Sequence, residues 1–435
     1  MQIGLALGSV VALMGLMAVV RHLASAWRIG PEVQRKLVHI GTGIYALTLP
    51  WLFPERWPVY FLVGLTLVVM LFLRLPNSRL GATLHGVGRQ SYGDFLLAIS
   101  VGLCLFLAED QLYLYVLPIA VLTLADAAAA LAGSTYGTKF FRVEEGEKSI
   151  EGSAVFFIVT LLISVVCLMW MTSLAPPNIV VLSLMVAGFG TLVEAASWRG
   201  FDNLFLPVGL LIFLSAHGAG TLWQLVWLAG LFALSIVAFK VVAPKFGLNS
   251  HAARVYVTAV FLLLAVTDAQ NTIFPILVLA AHAWSRSVAP CNSKFPDLDV
   301  VAALALVSFG LLALGNATLL TAISFYGLVA MGMLMGLCAI AVSVRRPVIR
   351  YPMLLGIALV IMALRQLIVA LNSDTENWNG PMWPVVFVCV ALSAITPLVW
   401  PQAFAKQRIA KLTVLALLIP LPYYMISAGL AGALI

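Results

Sequence analysis

The chain has 435 residues, 63% of them hydrophobic and 9% charged, with a mean hydropathy of +1.07 and a formal net charge of +7. That composition excludes a soluble globular domain and marks an integral membrane protein. The basic excess is spread over many short loops, which argues against nucleic acid as a partner and for membrane orientation.

Apolar stretches long enough to cross a hydrocarbon core recur from end to end. In chain order they predict helical spans at about 3–20, 37–53, 57–74, 94–108, 112–132, 153–173, 179–197, 203–217, 220–239, 255–269, 272–285, 300–316, 321–343, 351–371, 382–399 and 412–431. The first lacks a basic leader and a small-residue cleavage site, so it reads as a retained span. The expected fold is therefore all-α, a polytopic membrane bundle of about sixteen transmembrane helices. Assigning 21–36 to the cytoplasm and alternating sides gathers Arg74, Arg79, Arg89, Lys139, Arg142, Lys148, Arg199, Lys240, Lys245, Arg254, Arg286, Lys294, Arg345, Arg346, Arg350, Lys406, Arg408 and Lys411 on one side. Arg56 stands alone on the other, with Glu55, Glu109, Asp110, Asp374 and Glu376. This positive-inside pattern predicts both termini outside and the Lys148 loop in the cytoplasm. Cys104, Cys167, Cys291, Cys338 and Cys389 are scattered and form no CxxC pair, so neither a zinc site nor a disulfide framework is expected.

The chain divides near residue 218. Residues 1–218 carry the chemistry-bearing motifs, and 219–435 form a second helical module with sparser polar groups. In the first half, Arg35 and Lys36 stand at the cytoplasmic mouth of the second span, where two cations suit a nucleotide phosphate or a lipid head group as well as plain anchoring. His39 lies about one turn further in, where anchoring requires no imidazole. Asp126 sits on an alanine-rich helix that lets a partner approach closely, and its carboxylate suits Mg²⁺ or a proton taken from a substrate hydroxyl. A structural polar contact between helices is the alternative.

Gly133, Gly137 and Lys139 then lead to Glu147-Lys148-Ser149-Ile150-Glu151-Gly152-Ser153, a glycine-punctuated loop opening onto a helix. Freed backbone N–H groups and a helix N-terminus make an anion site, and Lys148 adds a point charge for phosphate. Glu151 is placed to ligate a metal or orient a base. Ordinary capping by Ser149 or Ser153 explains one serine and one glutamate, but not the lysine and the paired glycines. Glu194 closes the seventh span, and Asp202-Asn203 follow across an Arg199-Gly200 turn. With Asp126 these carboxylates share one membrane depth, enough to hold one or two Mg²⁺ ions against a triphosphate. No Walker motif, protein-kinase set or zincin motif occurs.

These motifs resemble the polyprenol kinase family of CTP-dependent lipid kinases, which includes phytol, dolichol and diacylglycerol kinases. The matching residues are Arg35-Lys36-x-x-His39, Asp126-x-x-Ala129 leading to Gly133 and Gly137, Lys148-Ser149-x-Glu151-Gly152-Ser153, and Glu194 followed by Asp202-Asn203 and Pro207. They span roughly residues 30–215. The resemblance implies transfer of the γ-phosphoryl group of CTP to a long-chain alcohol, phytol or a polyprenol, or to diacylglycerol, with Mg²⁺ or a similar ion. It implies Lys148, Arg35 and Lys36 at phosphates, Glu194 and Asp202 with Asn203 at metal, and Asp126 at metal or as base. His39, Gly133, Gly137, Lys139, Ser149, Gly152 and Ser153 then surround the nucleotide. Where family members carry a basic residue after the first glycine, this chain has Ser134-Thr135, and Lys139 is the replacement at hand.

Two other functions fit the same residues. A cytidylyltransferase acting on a lipid phosphate would use the same carboxylates and release pyrophosphate. A lipid transporter or flippase would suit many spans and the intramembrane Arg365, although no twofold hydropathy symmetry is evident. Arg365 in a span is expected to be functional or to be paired, a carboxylate being the natural partner, whereas His282 and Trp284 suit packing and interface roles as well as any other.

Overall fold

The computed structural model describes residues 2–73, 92–144 and 146–432; Arg74, Arg79 and Arg89 of the charge pattern lie outside them. Each of the sixteen apolar stretches is helical, and helix accounts for 81% of the structure. In a hydrocarbon environment the backbone must satisfy its own polar groups, and a helix does so within one segment. Among the described residues nine helices are long and apolar enough to cross a membrane, and five shorter apolar helices accompany them. The protein is thus an all-helical, multi-pass membrane protein.

The chain forms two compact units, Met1–Leu234 and Ser235–Ile435. The first unit runs α1 (Gln2–Ala26), α2 (Pro31–Leu52), α3 (Trp57–Leu73), α4 (Gly93–Leu107), α5 (Leu112–Ala120), a π turn (Val121–Ala125), α6 (Asp126–Tyr136), β1 (Phe140–Val143), β2 (Gly146–Ser149), α7 (Ile150–Met171), α8 (Pro176–Ala195), α9 (Asp202–His217) and α10 (Leu222–Val242), which crosses the boundary. Its core is the continuous rod α5–π turn–α6. Leu114, Tyr115, Leu117, Ile119, Val121, Leu122 and Ala125 are all fully or almost fully buried there. Tyr115 anchors the rod by donating its hydroxyl to the Ala46 carbonyl at 2.7 Å. The helices α1, α7 and α10 turn most of their surface outward, as Trp170 at 83% exposure shows, which suits contact with lipid tails.

One local element departs from the all-α expectation. The polar loop before α7 is a hairpin, β1 against β2, with Phe141 opposite Lys148 and Phe140 opposite Ser149. Gly146 closes its turn at a φ of 136°, a conformation that favours glycine.

The second unit contains α11 (Ser250–Val266), α12 (Ile273–Val288), α13 (Pro296–Thr318), α14 (Ile323–Ser343), α15 (Pro347–Leu371), α16 (Trp383–Val399), α17 (Arg408–Leu417) and α18 (Pro420–Leu430). Its axis is α14, in which residues from Ser324 to Val342 are almost all buried. Gly332 and Gly336 let α14 close on its neighbours: a Cβ on Gly332 would lie 2.9 Å from Ala416 and Cys389, and one on Gly336 would lie 2.6 Å from Leu412. Arg365 is 1% exposed, and its Nη1 donates to the Ser324 carbonyl at 3.3 Å. No carboxylate partner for it occurs among the described residues, contrary to expectation. A backbone carbonyl takes the place expected for an acid.

Candidate active site

The candidate residues sit where the N-terminus of α2, the C-terminal half of the rod, the hairpin, the end of α8 and the start of α9 come to the same end of the first unit. Two features shape the rod there. Pro118 removes a backbone donor, and the helix widens into the π turn three residues later. Such turns free carbonyl groups and often mark functional positions. Asp126 follows immediately as the first residue of α6.

The helix α2 meets this turn with one face, Lys36, His39 and Gly43, spaced about one turn apart. Gly43 permits the contact, because a Cβ there would lie 2.2 Å from Thr123 Oγ1. The approach brings Lys36 Nζ to 2.6 Å from Asp126 Oδ2, and His39 Nε2 to 3.8 Å from the same oxygen and 3.5 Å from the Leu122 carbonyl. Asp126 is 7% exposed. A carboxylate so far from water needs a cation, and Lys36 supplies it.

A second pair forms beside the first. Lys148, projecting from β2, places Nζ 2.6 Å from Glu194 Oε1 and 2.8 Å from Ser197 Oγ, and it also donates to the Glu194 main-chain carbonyl. Glu194 is 8% exposed. Lys148 also lies within electrostatic reach of Asp126, which joins the two pairs into one charged cluster. Ser197 is a partner that motif reading passed over. It stands three residues beyond Glu194, just past the end of α8, where its N donates to the Glu194 carbonyl at 3.0 Å, and that short spacing is the signal that could have found it.

The glycines serve the packing of α6 on α7. A Cβ on Gly133 would lie 2.6 Å from Ser149 Oγ, one on Gly137 2.4 Å from the Gly133 carbonyl, and one on Gly152 2.9 Å from the Ala129 carbonyl. Ser149 caps α7, its Oγ accepting from Gly152 N at 3.0 Å, and Ser153 donates back to the Ser149 carbonyl at 3.3 Å. Glu151, in the first turn of α7, accepts from the Thr138 hydroxyl and from Lys139 N at 3.2 Å, clamping the segment before β1 onto the helix start. The Lys139 and Arg35 side chains are exposed at this end.

Asn203 is buried and donates to the Gly93 carbonyl at 2.9 Å, tying α9 to α4, while Asp202 opens α9 half-buried. The turn before them, Arg199-Gly200, uses positive φ at both residues (51° and 80°). Among the described residues no three His, Cys, Asp or Glu side chains assemble into a set able to hold a metal ion by themselves. Asp126 and Glu194 are each held by a lysine instead. That donor set still suits Mg²⁺, which keeps several waters and is commonly bound by one or two carboxylates together with substrate phosphates.

No family profile matches the chain, and no solved structure matches it. Among curated proteins, a phytol kinase of Synechocystis sp. is 30% identical over 210 residues, 47% of this chain and 88% of that kinase. The matched length is close to that of the first unit, where every motif residue described above resides. At this identity and coverage, the chain belongs to the polyprenol and phytol kinase family.

Proposed function

We propose that the protein is a membrane-embedded kinase that transfers the γ-phosphoryl group of CTP to an isoprenoid alcohol of the phytol or polyprenol class, at the cytoplasmic ends of α2, α6, α7 and α8. The observation that carries this proposal is the cluster of two buried lysine–carboxylate pairs, Lys36–Asp126 and Lys148–Glu194, within electrostatic reach of each other. Phosphoryl transfer requires positioning and charge neutralisation more than covalent chemistry.

The four side chains together are neutral, which makes the cluster tolerable in a dry site before substrate arrives. An entering triphosphate competes for the two ammonium groups, and each lysine released from its carboxylate binds phosphate as a point charge. The carboxylates so freed, Asp126 and Glu194, with Asp202 near the start of α9, would hold Mg²⁺; the ion supplies charge stabilisation at the phosphates. Arg35 and Lys139, exposed at the rim, add positive charge on the nucleotide's approach. If Glu194 and Asp202 hold the ion without it, Asp126, at the junction of the rod and α2, instead serves as the base that accepts the alcohol proton, with His39 3.8 Å away. The lipid-facing flanks of α1 and α7 give a long apolar chain a route to this end of the unit. Residues 219–435 carry none of these motif residues.

The test is a transfer assay on membranes carrying the protein, with Mg²⁺, either CTP or ATP, and phytol, farnesol, a long polyprenol or diacylglycerol as acceptor. A phosphorylated isoprenoid alcohol formed with CTP, and lost in Lys148→Met, is the expected result. No phosphorylated product from any acceptor would overturn the proposal.

A further inference from the structure

The second unit contains a polar cluster that the kinase chemistry does not use. His282 on α12 is fully buried, with Nε2 3.3 Å from Asp297 Oδ1. Arg286, one turn further along α12, donates Nη1 to Asp297 Oδ2. Asp297 is 7% exposed and opens α13. Tyr256 on α11 is 4% exposed and lies within electrostatic reach of both Asp297 and Arg286. The segment between α12 and α13 is tied down from the other side: buried Arg408 donates Nη2 to the Ala289 carbonyl at 2.7 Å, and Asn292 N donates to the Ala405 carbonyl at 2.8 Å.

A tether for that segment would need Asp297 and Arg286 only. Three observations go beyond it. The Tyr256 hydroxyl is buried without a hydrogen-bond partner, and so is His282 Nδ1. The His282–Asp297 contact is close but lacks hydrogen-bond alignment, so Asp297 Oδ1 is also left without a bond. Arg286 is 28% exposed at its side chain and spends one nitrogen on Asp297; its other donors meet no further partner among the described residues. Buried polar groups are rarely left unpaired in water-free surroundings without a functional reason. Tyr256 lies within electrostatic reach of that guanidinium, and His282 and Arg286 share the Asp297 carboxylate.

The sign of the ligand follows from this inventory. Asp297 is already shared between a guanidinium and an imidazole, and Asp299, the other acid in the first turn of α13, accepts from the Ser293 hydroxyl, so both carboxylates have partners. The groups left open are the remaining guanidinium donors, a phenol and an imidazole nitrogen. A fixed guanidinium fork matches phosphate geometry. A phosphate monoester carries three non-bridging oxygens, enough to meet Arg286, Tyr256 and His282 together, whereas a diester carries fewer. Because α13 is long and apolar enough to span a membrane and begins at Pro296, a ligand reaching Arg286 from the bilayer presents its phosphate at head-group depth.

We infer that the second unit binds a lipid phosphate monoester, with Arg286 holding the phosphate, Tyr256 and His282 completing its shell, and Asp297 positioning Arg286 and His282. The site is built wholly from residues of the second unit and stands independently of the kinase assignment.

The test uses the full chain in phosphatidylcholine nanodiscs, with dodecyl phosphate as probe, titrated calorimetrically without nucleotide. It is run on the wild type and in a Lys148→Met background, so that neither the kinase site nor its failure affects the outcome. Binding in both backgrounds is expected, weakened about tenfold or more by Arg286→Gln and partly restored by Arg286→Lys. Tyr256→Phe is the discriminating variant, because it removes only a hydroxyl that has no partner in the structure. It should weaken dodecyl phosphate severalfold while leaving the melting temperature unchanged. Inorganic phosphate or phosphatidylglycerol binding as tightly as dodecyl phosphate would overturn the lipid-monoester assignment. Unchanged affinity in Arg286→Gln and Tyr256→Phe would overturn the site itself.

Discussion

Replacing Lys148 by Met separates a structural staple from a phosphate ligand. The ammonium makes three bonds, to Glu194 Oε1 at 2.6 Å, to Ser197 Oγ at 2.8 Å and to the Glu194 carbonyl. With Lys148 about one quarter exposed and Glu194 about one tenth, the pair is not fully dry. Its loss should cost about 1.5–3 kcal/mol, the range for hydrogen bonds to charged groups, and less than the ~3–5 kcal/mol of breaking a fully buried pair. Most of that cost is the stranded Glu194 charge, so Lys148→Met/Glu194→Gln should regain much of the stability. Activity should behave differently: loss of a preorganised charge at the transferring group lowers kcat/KM about 10²–10³-fold, and neutralising Glu194 as well restores none of it. Thermal unfolding in detergent and lipid-kinase kinetics on the four members of the cycle measure the two quantities. Recovery of kcat/KM in the double variant, in step with recovered stability, would refute the assignment of Lys148 to phosphate.

Three further predictions concern other parts of the structure. Gly152→Ala should destabilise the first unit by about 1–3 kcal/mol, because its Cβ would meet the Ala129 carbonyl at 2.9 Å; a melting temperature within error of wild type would contradict the close packing of α6 on α7. Chelation with EDTA should abolish transfer yet leave the unfolding temperature unchanged, since no protein-only metal set exists among the described residues; a lower unfolding temperature would reveal a structural ion. In the second unit, burial and then Asp268 push the Glu376 carboxyl above its ordinary value, opposed by a hydrogen bond with Asn271. An acid with a raised folded pKa destabilises the fold once pH rises through that pKa, so Glu376→Gln should raise the melting temperature at pH 8 and not at pH 4. An equal effect at both would contradict it.

The helical architecture was legible because hydrocarbon leaves the backbone few alternatives, and each apolar stretch is helical, some ends lying six residues from those expected, as in Gln2–Ala26 and Pro31–Leu52. Whether all of them cross the membrane was not legible in the same way. Helices such as Gly93–Leu107 and Asp202–His217 are apolar but short, and their places are set by packing inside the unit. The candidate site residues announced themselves as charges in an apolar chain, yet their pairing did not. That Lys36 meets Asp126 and Lys148 meets Glu194 depends on contacts 90 and 46 residues apart in sequence. Gly133, Gly137 and Gly152 suggested a phosphate cradle; the fold adds a role not legible in the sequence, the close contact of α6, Ser149 and α7. The hairpin was hidden because Phe140–Val143 and Gly146–Ser149 are too short for a period to emerge. His282 suited a packing or interface role as well as any other because Asp297, the acid it faces, lies beyond a loop.

The central claim, phosphoryl transfer to a lipid alcohol, is tested most directly by the position of the label that reaches the lipid. Purified protein in nanodiscs is given phytol or, in parallel, phosphatidate or a prenyl phosphate, with Mg²⁺ and CTP labelled at either the γ- or the α-phosphate. The account predicts a lipid carrying γ-label only, with CDP released and no product from Lys36→Met or Lys148→Met. Label entering lipid from the α-position, with pyrophosphate released, would contradict it and make the protein a cytidylyltransferase.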